Sequence, residues 1–216
     1  GEGAGAVGTW HPDVRFFTIE DVRGNRLGSF YLDLFSRKSK RAGAWMNALD
    51  TGSPATRENP GKPRLGMVCL NLHPSAEGAA VLLSHQETRI LFHEFGHLLH
   101  LMFTRVSTPS LAGTSVPRDF VEVPSQFMEN WCWHPDVLKS FARHEKTGLP
   151  IPEEMLRSLD ASRGNTPALA LAGQLLYAKM DLAVHTDPER FAAGPLDEVD
   201  AAVAGDMDYF KDFKRT

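Results

Sequence analysis

Apolar positions divide the chain into a strand-rich first third and a helical remainder. Residues 14–19 and 27–34 are dense in aromatic and branched side chains, and Arg23-Gly24-Asn25 between them has turn chemistry, so the pattern predicts a hairpin. Leu65 to His73, carrying Met67, Val68, Leu70 and Leu72, predicts a third strand. At a sheet edge, that strand would offer main-chain groups to an extended peptide; otherwise it completes a small sheet. Asp50 to Pro63 is rich in Gly, Pro, Thr, Asn and Ser and predicts a loop.

Beyond residue 84 the period changes. Leu91, Phe95, Leu98 and Met102 recur at three- and four-residue spacing, predicting a helix from about 85 to about 104 with one buried stripe. Ser84 and Glu87 have the spacing of a capping box at its start. Gly96 costs this helix about 1 kcal/mol relative to Ala, which suggests a close approach by another backbone. A loop over 107–117 follows. Further helices are predicted over 135 to about 147, 152 to about 163 and 167 to about 185, each opening on a proline where its missing N–H does least harm. The last carries Leu169, Leu171, Leu175, Leu176, Met180 and Leu182, more than one narrow stripe, and reads as a core helix buried on most sides. The fold class expected is α+β, mainly helical, with a small β-sheet near the N-terminus packed beside the helix at 85–104.

Composition narrows the classes. With 216 residues, 42% of them hydrophobic, the chain supports one substantial core or two small ones. A net charge of −4 gives no pointer to nucleic acid. Apolar runs fall short of the roughly 20 residues needed to span a bilayer, so no membrane partner is expected. Cys69 and Cys132 are too few for a disulfide scaffold and fit a reducing compartment, with the cytoplasm as the default. The opening Gly1-Glu2-Gly3-Ala4-Gly5-Ala6 has neither an initiator methionine nor signal-peptide character, so a fragment or a processed chain is expected. Arg37, Lys38, Lys40 and Arg41 form a short basic run that reads as a solvated edge or loop rather than a dedicated binding tail.

The chemistry concentrates in His93-Glu94-Phe95-Gly96-His97. On a helix, His93 and His97 project from one face a turn apart, so two ring nitrogens reach one ion. Glu94 lies roughly 100° around the helix, placed to take a proton from water rather than to ligate. This is the His-Glu-x-x-His pattern of zinc hydrolases. Two imidazoles on an amphipathic helix also occur as ordinary hydrogen-bonded side chains, so a third ligand matters.

A catalytic zinc needs that third ligand and an open fourth position. His100 continues the line of His93 and His97, but three ligands on one straight helix would span about 10 Å. The metzincin extension would require Gly at 100 and His at 103, where this chain has His100 and Phe103. Glu122 and Glu129 remain, two turns apart on one face. Spacing slightly favours Glu122, although Asp119-x-x-Glu122 also has the spacing of a helix cap, and Glu129 would equally serve to orient a metal-bound histidine. Asp119, Gln126 and Glu129 are the candidates for such orienting roles.

The motif set as a whole resembles one family. His93 to His97, then Gly113-Thr114, Asp119-Phe120-Val121-Glu122-Val123-Pro124-Ser125-Gln126 and Glu129-Asn130-Trp131 resemble the thimet oligopeptidase family of zinc metallopeptidases, of the oligopeptidase A, neurolysin and dipeptidyl carboxypeptidase type. The likeness runs from Trp10-His11-Pro12-Asp13 through Tyr31-Leu32-Asp33-Leu34 and Gly43-Ala44-Trp45-Met46 to Gln174 to Leu182. It implies a zincin-like catalytic region over 10–186, between a flexible segment 1–9 and a C-terminal segment 187–216. It also implies one zinc held by His93, His97 and Glu122, Glu94 as general base, and short peptides as substrates.

The C-terminal segment departs from the family pattern. The family has there a Gly- and Tyr-rich stretch whose tyrosines bond the tetrahedral intermediate, whereas residues 199–216 offer Tyr209 alone. Family members are also much longer. The missing N- and C-terminal parts of a full-length peptidase are therefore possible partners, and the alternative reading is an incomplete catalytic domain that binds zinc or peptide without turnover. A helical scaffold with structural histidines is the third.

Overall fold

Alternating side chains around Phe30 and Val68 and the helical stripe ending at Met102 share one buried surface, and the fold grows from it. The computed structural model describes residues 7–56, 61–73, 81–163 and 167–191. Four strands, β1 (Arg15–Glu20), β2 (Arg26–Phe35), β3 (Trp45–Asp50) and β4 (Arg64–Leu72), form a sheet in the order β1-β2-β4-β3. The fold class is α+β, as the periodicities predict. β1 and β2 form the expected antiparallel hairpin, β2 and β4 run parallel, and β3 pairs antiparallel with β4.

This order decides between the two readings of the third predicted strand. β4 has a partner on each side, so its main-chain groups are taken and it completes the sheet. The edge strands are β1 and β3, and β3, on the α1 side of β4, has a Trp-Met-Asn-Ala-Leu-Asp sequence that gave little period-two signal.

Helix α1 (His85–Met102) carries the stripe. Its capping box forms as expected: the Ser84 hydroxyl accepts from the Glu87 N–H, and the Glu87 carboxylate accepts from the Ser84 N–H. Leu98, Leu101 and Met102 are buried against Phe30, Val68, Leu70 and Leu72. Removing side chains of this size from water stabilises by about 1.5–3 kcal/mol each. Gly66 lets the helix lie close, since a Cβ there would sit 2.4 Å from Leu98 Cδ1.

The basic run is a loop, with Lys38 and Arg41 exposed as expected, but Arg37 and Lys40 turn inward. The connection from β2 to β3 passes over the end of β4, and there Asp33, 2% exposed, receives Arg37 on both carboxylate oxygens at 2.7 and 2.8 Å and Lys40 at 2.9 Å. Trp10 Nε1 donates to the same carboxylate at 3.0 Å. Lys40, itself buried, also donates to the carbonyls of Asp33, Phe35 and Leu70. Strand ends under a crossover leave carbonyls that need donors, and the three N–H groups of one ammonium are shared among these carbonyls and the carboxylate. Together Arg37, Lys40 and Trp10 outweigh burial and hold the Asp33 carboxyl far below its usual range.

After α1, a 3-10 turn at Pro109–Leu111 leads to α2 (Arg118–Val121) and α3 (Val123–Glu129), which packs on α1. Helix α4 (Pro135–Phe141) is shorter than expected. Its end is fixed where Ile151 N–H donates to Ala142 O and Arg143 pairs with Pro150. These elements belong to one compact unit, Gly1–Ile151. The second unit, Pro152–Thr216, contains α5 (Glu153–Arg163), α6 (Pro167–Thr186) and α7 (Pro188–Phe191). On α6, Leu176 is buried as expected, but Leu171, Leu175, Tyr177 and Leu182 are exposed. The expected flexible segment 1–9 and the segment around Tyr209 fall largely or wholly outside the described residues.

Candidate metal centre

Helical spacing places His93 and His97 on one face of α1, their ring centroids 4.9 Å apart. Opposite them, the junction of α2 and α3 presents Glu122. This residue ends α2 and begins α3, with Pro124 early in the new helix, and its side chain caps neither. Asp119 makes no capping bond either, which removes the capping role that its spacing suggested. Glu122 is free to face the histidines.

It does so closely. Glu122 Oε2 lies 3.1 Å from His93 Nε2 and 3.3 Å from His97 Nε2. Donors about 2.0–2.1 Å from a tetrahedral zinc are about 3.3 Å from one another, which is close to the separation of Glu122 Oε2 from each ε nitrogen. Among the described residues, His93, His97 and Glu122 form a group able to hold a metal ion, with their donor atoms within 4.8 Å. Of the two glutamates, Glu122 faces both ε nitrogens, while Glu129 lies against Nδ1 on the far side of His93.

Two supports fix these side chains. The Ser125 hydroxyl, fully buried, donates to Glu122 Oε2 at 2.8 Å. Glu129 Oε1 lies 2.8 Å from His93 Nδ1, and a carboxylate there accepts the Nδ1 proton, leaving Nε2 with its lone pair toward Glu122. Burial works to raise the Glu129 pKa, but hydrogen bonds from His93 and Arg89 outweigh it and the carboxyl is lowered. Asp119 and Gln126, the other candidates, make no side-chain hydrogen bond to either histidine.

The approach of α3 to α1 depends on Gly96. A Cβ at that position would come 2.6 Å from Ser125 Cα and 2.7 Å from Pro124 O, both backbone atoms. The expected close approach is therefore made by the segment that carries Glu122.

Glu94 is 8% exposed and sits beside the ligand set on the side of β3. Burial raises its pKa; the His93 ring pulls it down, Glu122 pushes it further up, and the Met46 backbone amide in β3 favours the anion. A carboxylate held so binds a proton more readily than a free one, which suits a base that must receive one from water. Burial also lowers the His97 pKa, keeping the ring neutral and able to ligate. His100, the rejected ligand, packs instead against the Phe120 ring.

One neighbour was not read from the sequence. Arg89 donates from Nη2 to Glu129 Oε2 at 2.5 Å and lines, with His93, Glu94 and Glu129, a cavity of about 340 Å³. Its position four residues before His93 was the available signal.

The family model for peptidase family M3 matches residues 4–208. Over 182 residues the chain is 43% identical to oligopeptidase A of Escherichia coli (strain K12), covering 84% of this chain and 27% of that protein. It is 38% identical over 205 residues to the probable cytosolic oligopeptidase A of Arabidopsis thaliana, covering 93% of this chain and 29% of that protein. Against the dipeptidyl carboxypeptidase of Escherichia coli (strain K12) it is 37% identical over 204 residues, covering 94% and 29%. The chain thus spans little more than a quarter of the length of these relatives.

Proposed function

The chain belongs to peptidase family M3, and from that premise we propose that it hydrolyses peptide bonds in short peptides, as an oligopeptidase with one zinc held by His93, His97 and Glu122. The observation that carries this reading is one carboxylate oxygen standing 3.1 and 3.3 Å from two ε nitrogens, the separation expected of donors sharing one zinc. Zinc bound there would lower the pKa of water toward about 7 and polarise the peptide carbonyl.

The protein's own groups supply the rest. Glu94 takes the water proton and delivers it to the leaving amine; burial, by raising its pKa, makes it apt for both transfers. Glu129 holds the His93 ring and Ser125 holds Glu122, so the ligands need little reorganisation. β3, paired only with β4 in the sheet, offers its other edge beside Glu94, where an extended peptide would add as a strand. Short peptides are the expected partners, with neither nucleic acid nor membrane involved. Among the described residues, no helix is long and apolar enough to cross a bilayer. The free, buried thiols of Cys69 and Cys132, each pushed up to about 11, suit a reducing compartment, and we place the protein in the cytoplasm.

Coverage of 27% of oligopeptidase A favours a second reading: these residues bind zinc or peptide, and turnover requires the remaining N- and C-terminal parts of a full-length peptidase. Cleavage of an internally quenched short peptide separates the two. A working site loses about 10²–10⁴-fold in rate in Glu94→Gln while keeping zinc. Zinc without cleavage in the unaltered chain supports the second reading, and cleavage unaffected by Glu94→Gln contradicts the first.

A further inference from the structure

We propose that Arg89 is a positioning residue for the metal centre: by clamping one oxygen of Glu129 it fixes the carboxylate that holds His93, and so fixes the direction of His93 Nε2. This rests on the zinc site proposed above. Arg89 and His93 lie four residues apart on the same face of α1, and Glu129 on α3 bridges them with a different oxygen for each. Nη2 of Arg89 meets Oε2 at 2.5 Å, while Oε1 meets His93 Nδ1 at 2.8 Å. A carboxylate held at both oxygens cannot rotate, so the imidazole plane is set along with it.

The arginine is itself held. Nη1 donates to Gln86 Oε1 at 3.1 Å, and the guanidinium lies 5.8 Å from the Trp133 ring centroid. Arginine stays charged across the working pH range and presents donors in a rigid fork, whereas lysine offers a point charge on a flexible stem. The carboxylate is only 21% exposed and shares the cavity with Glu94, so without the guanidinium it would rotate or turn toward solvent. His97 has no equivalent support: its Nδ1 is buried without a hydrogen-bond partner among the described residues. The Arg89–Glu129 pair therefore orients one ligand selectively.

The test is zinc affinity, measured by competition with a chromophoric chelator, for the unaltered chain, Arg89→Met, Arg89→Lys, Glu129→Gln and the double variant Arg89→Met/Glu129→Gln. Loss of a partner that orients a ligand typically weakens metal binding about 10–100-fold. Arg89→Met is expected within that range and Arg89→Lys between it and the parent. The double variant should bind zinc as Glu129→Gln alone does, because Arg89 acts through Glu129. Unchanged affinity in Arg89→Met, or multiplying losses in the double variant, would overturn the proposal. In zinc-free protein, where Glu122 faces Nε2 and Glu129 faces Nδ1, ¹⁵N shifts of the His93 ring should report less proton on Nδ1 in Arg89→Met than in the parent; an unchanged share would likewise overturn it. Failure of the parent to bind zinc would sink the metal reading, while the tautomer measurement would still decide on Arg89.

Discussion

Two polar clusters lie within the first unit of this chain, and they are built on opposite principles. At Asp33 the charge is closed: a buried carboxylate meets Arg37, Lys40 and Trp10, and Lys40 also serves three carbonyls. At Glu122 the charge is open: its carboxylate faces two imidazole nitrogens and a hydroxyl, with Glu94 close by. A cluster that supplies its own cations holds a fold together. One that gathers donors around a common point, without a lysine or arginine among them, is arranged for a cation from outside. Arg89 respects that division, neutralising Glu129 behind His93 and leaving the ligand side free.

The largest expected effect breaks the open cluster. His97→Ala removes one of three donors and should abolish stoichiometric zinc binding, read by elemental analysis, with the far-ultraviolet circular dichroism spectrum unchanged. Breaking the closed cluster should do the reverse. Asp33→Asn strands buried cations and should destabilise by about 3–5 kcal/mol in urea unfolding, while folded protein still takes zinc. The same residue sets a pH dependence. Its folded pKa lies below the unfolded value of about 3.9. The stability it contributes is thus fully present above that value and lost as pH falls through the folded pKa. Urea midpoints for the parent should fall more steeply below about pH 4 than those of Asp33→Asn.

The smallest effect sharpens the link between the helices. Gly96→Ala gains about 1 kcal/mol of helix propensity but drives a Cβ into the Pro124–Ser125 backbone, at a typical cost of about 1–3 kcal/mol. We expect net destabilisation by thermal melt and weaker zinc binding, because the segment displaced carries Glu122.

The open cluster was more legible in the sequence than the closed one. His93, Glu94 and His97 declare themselves through helical spacing, and Ser84 and Glu87 mark the start of their helix. Spacing separates Glu122 from Glu129 only slightly, since both lie on one face; the resemblance favours Glu122, and in the fold the α2–α3 junction points it at the histidines. Asp33 and Lys40 are a further step away. Their pairing depends on a crossover above β4, and that topology rests on β3, a strand with almost no alternating pattern. Four basic residues after a strand look like a solvated loop until the chain path buries one of them. Arg89 sat at a readable spacing from His93, but its role depends on Glu129, a contact across 40 residues of chain.

The most direct test of the central claim is the zinc content of the purified chain beside that of Glu122→Ala, both dialysed against metal-free buffer. About one zinc per chain in the parent and almost none in Glu122→Ala is the result expected of a His₂Glu site. No zinc in the parent, or full zinc in Glu122→Ala, would contradict it.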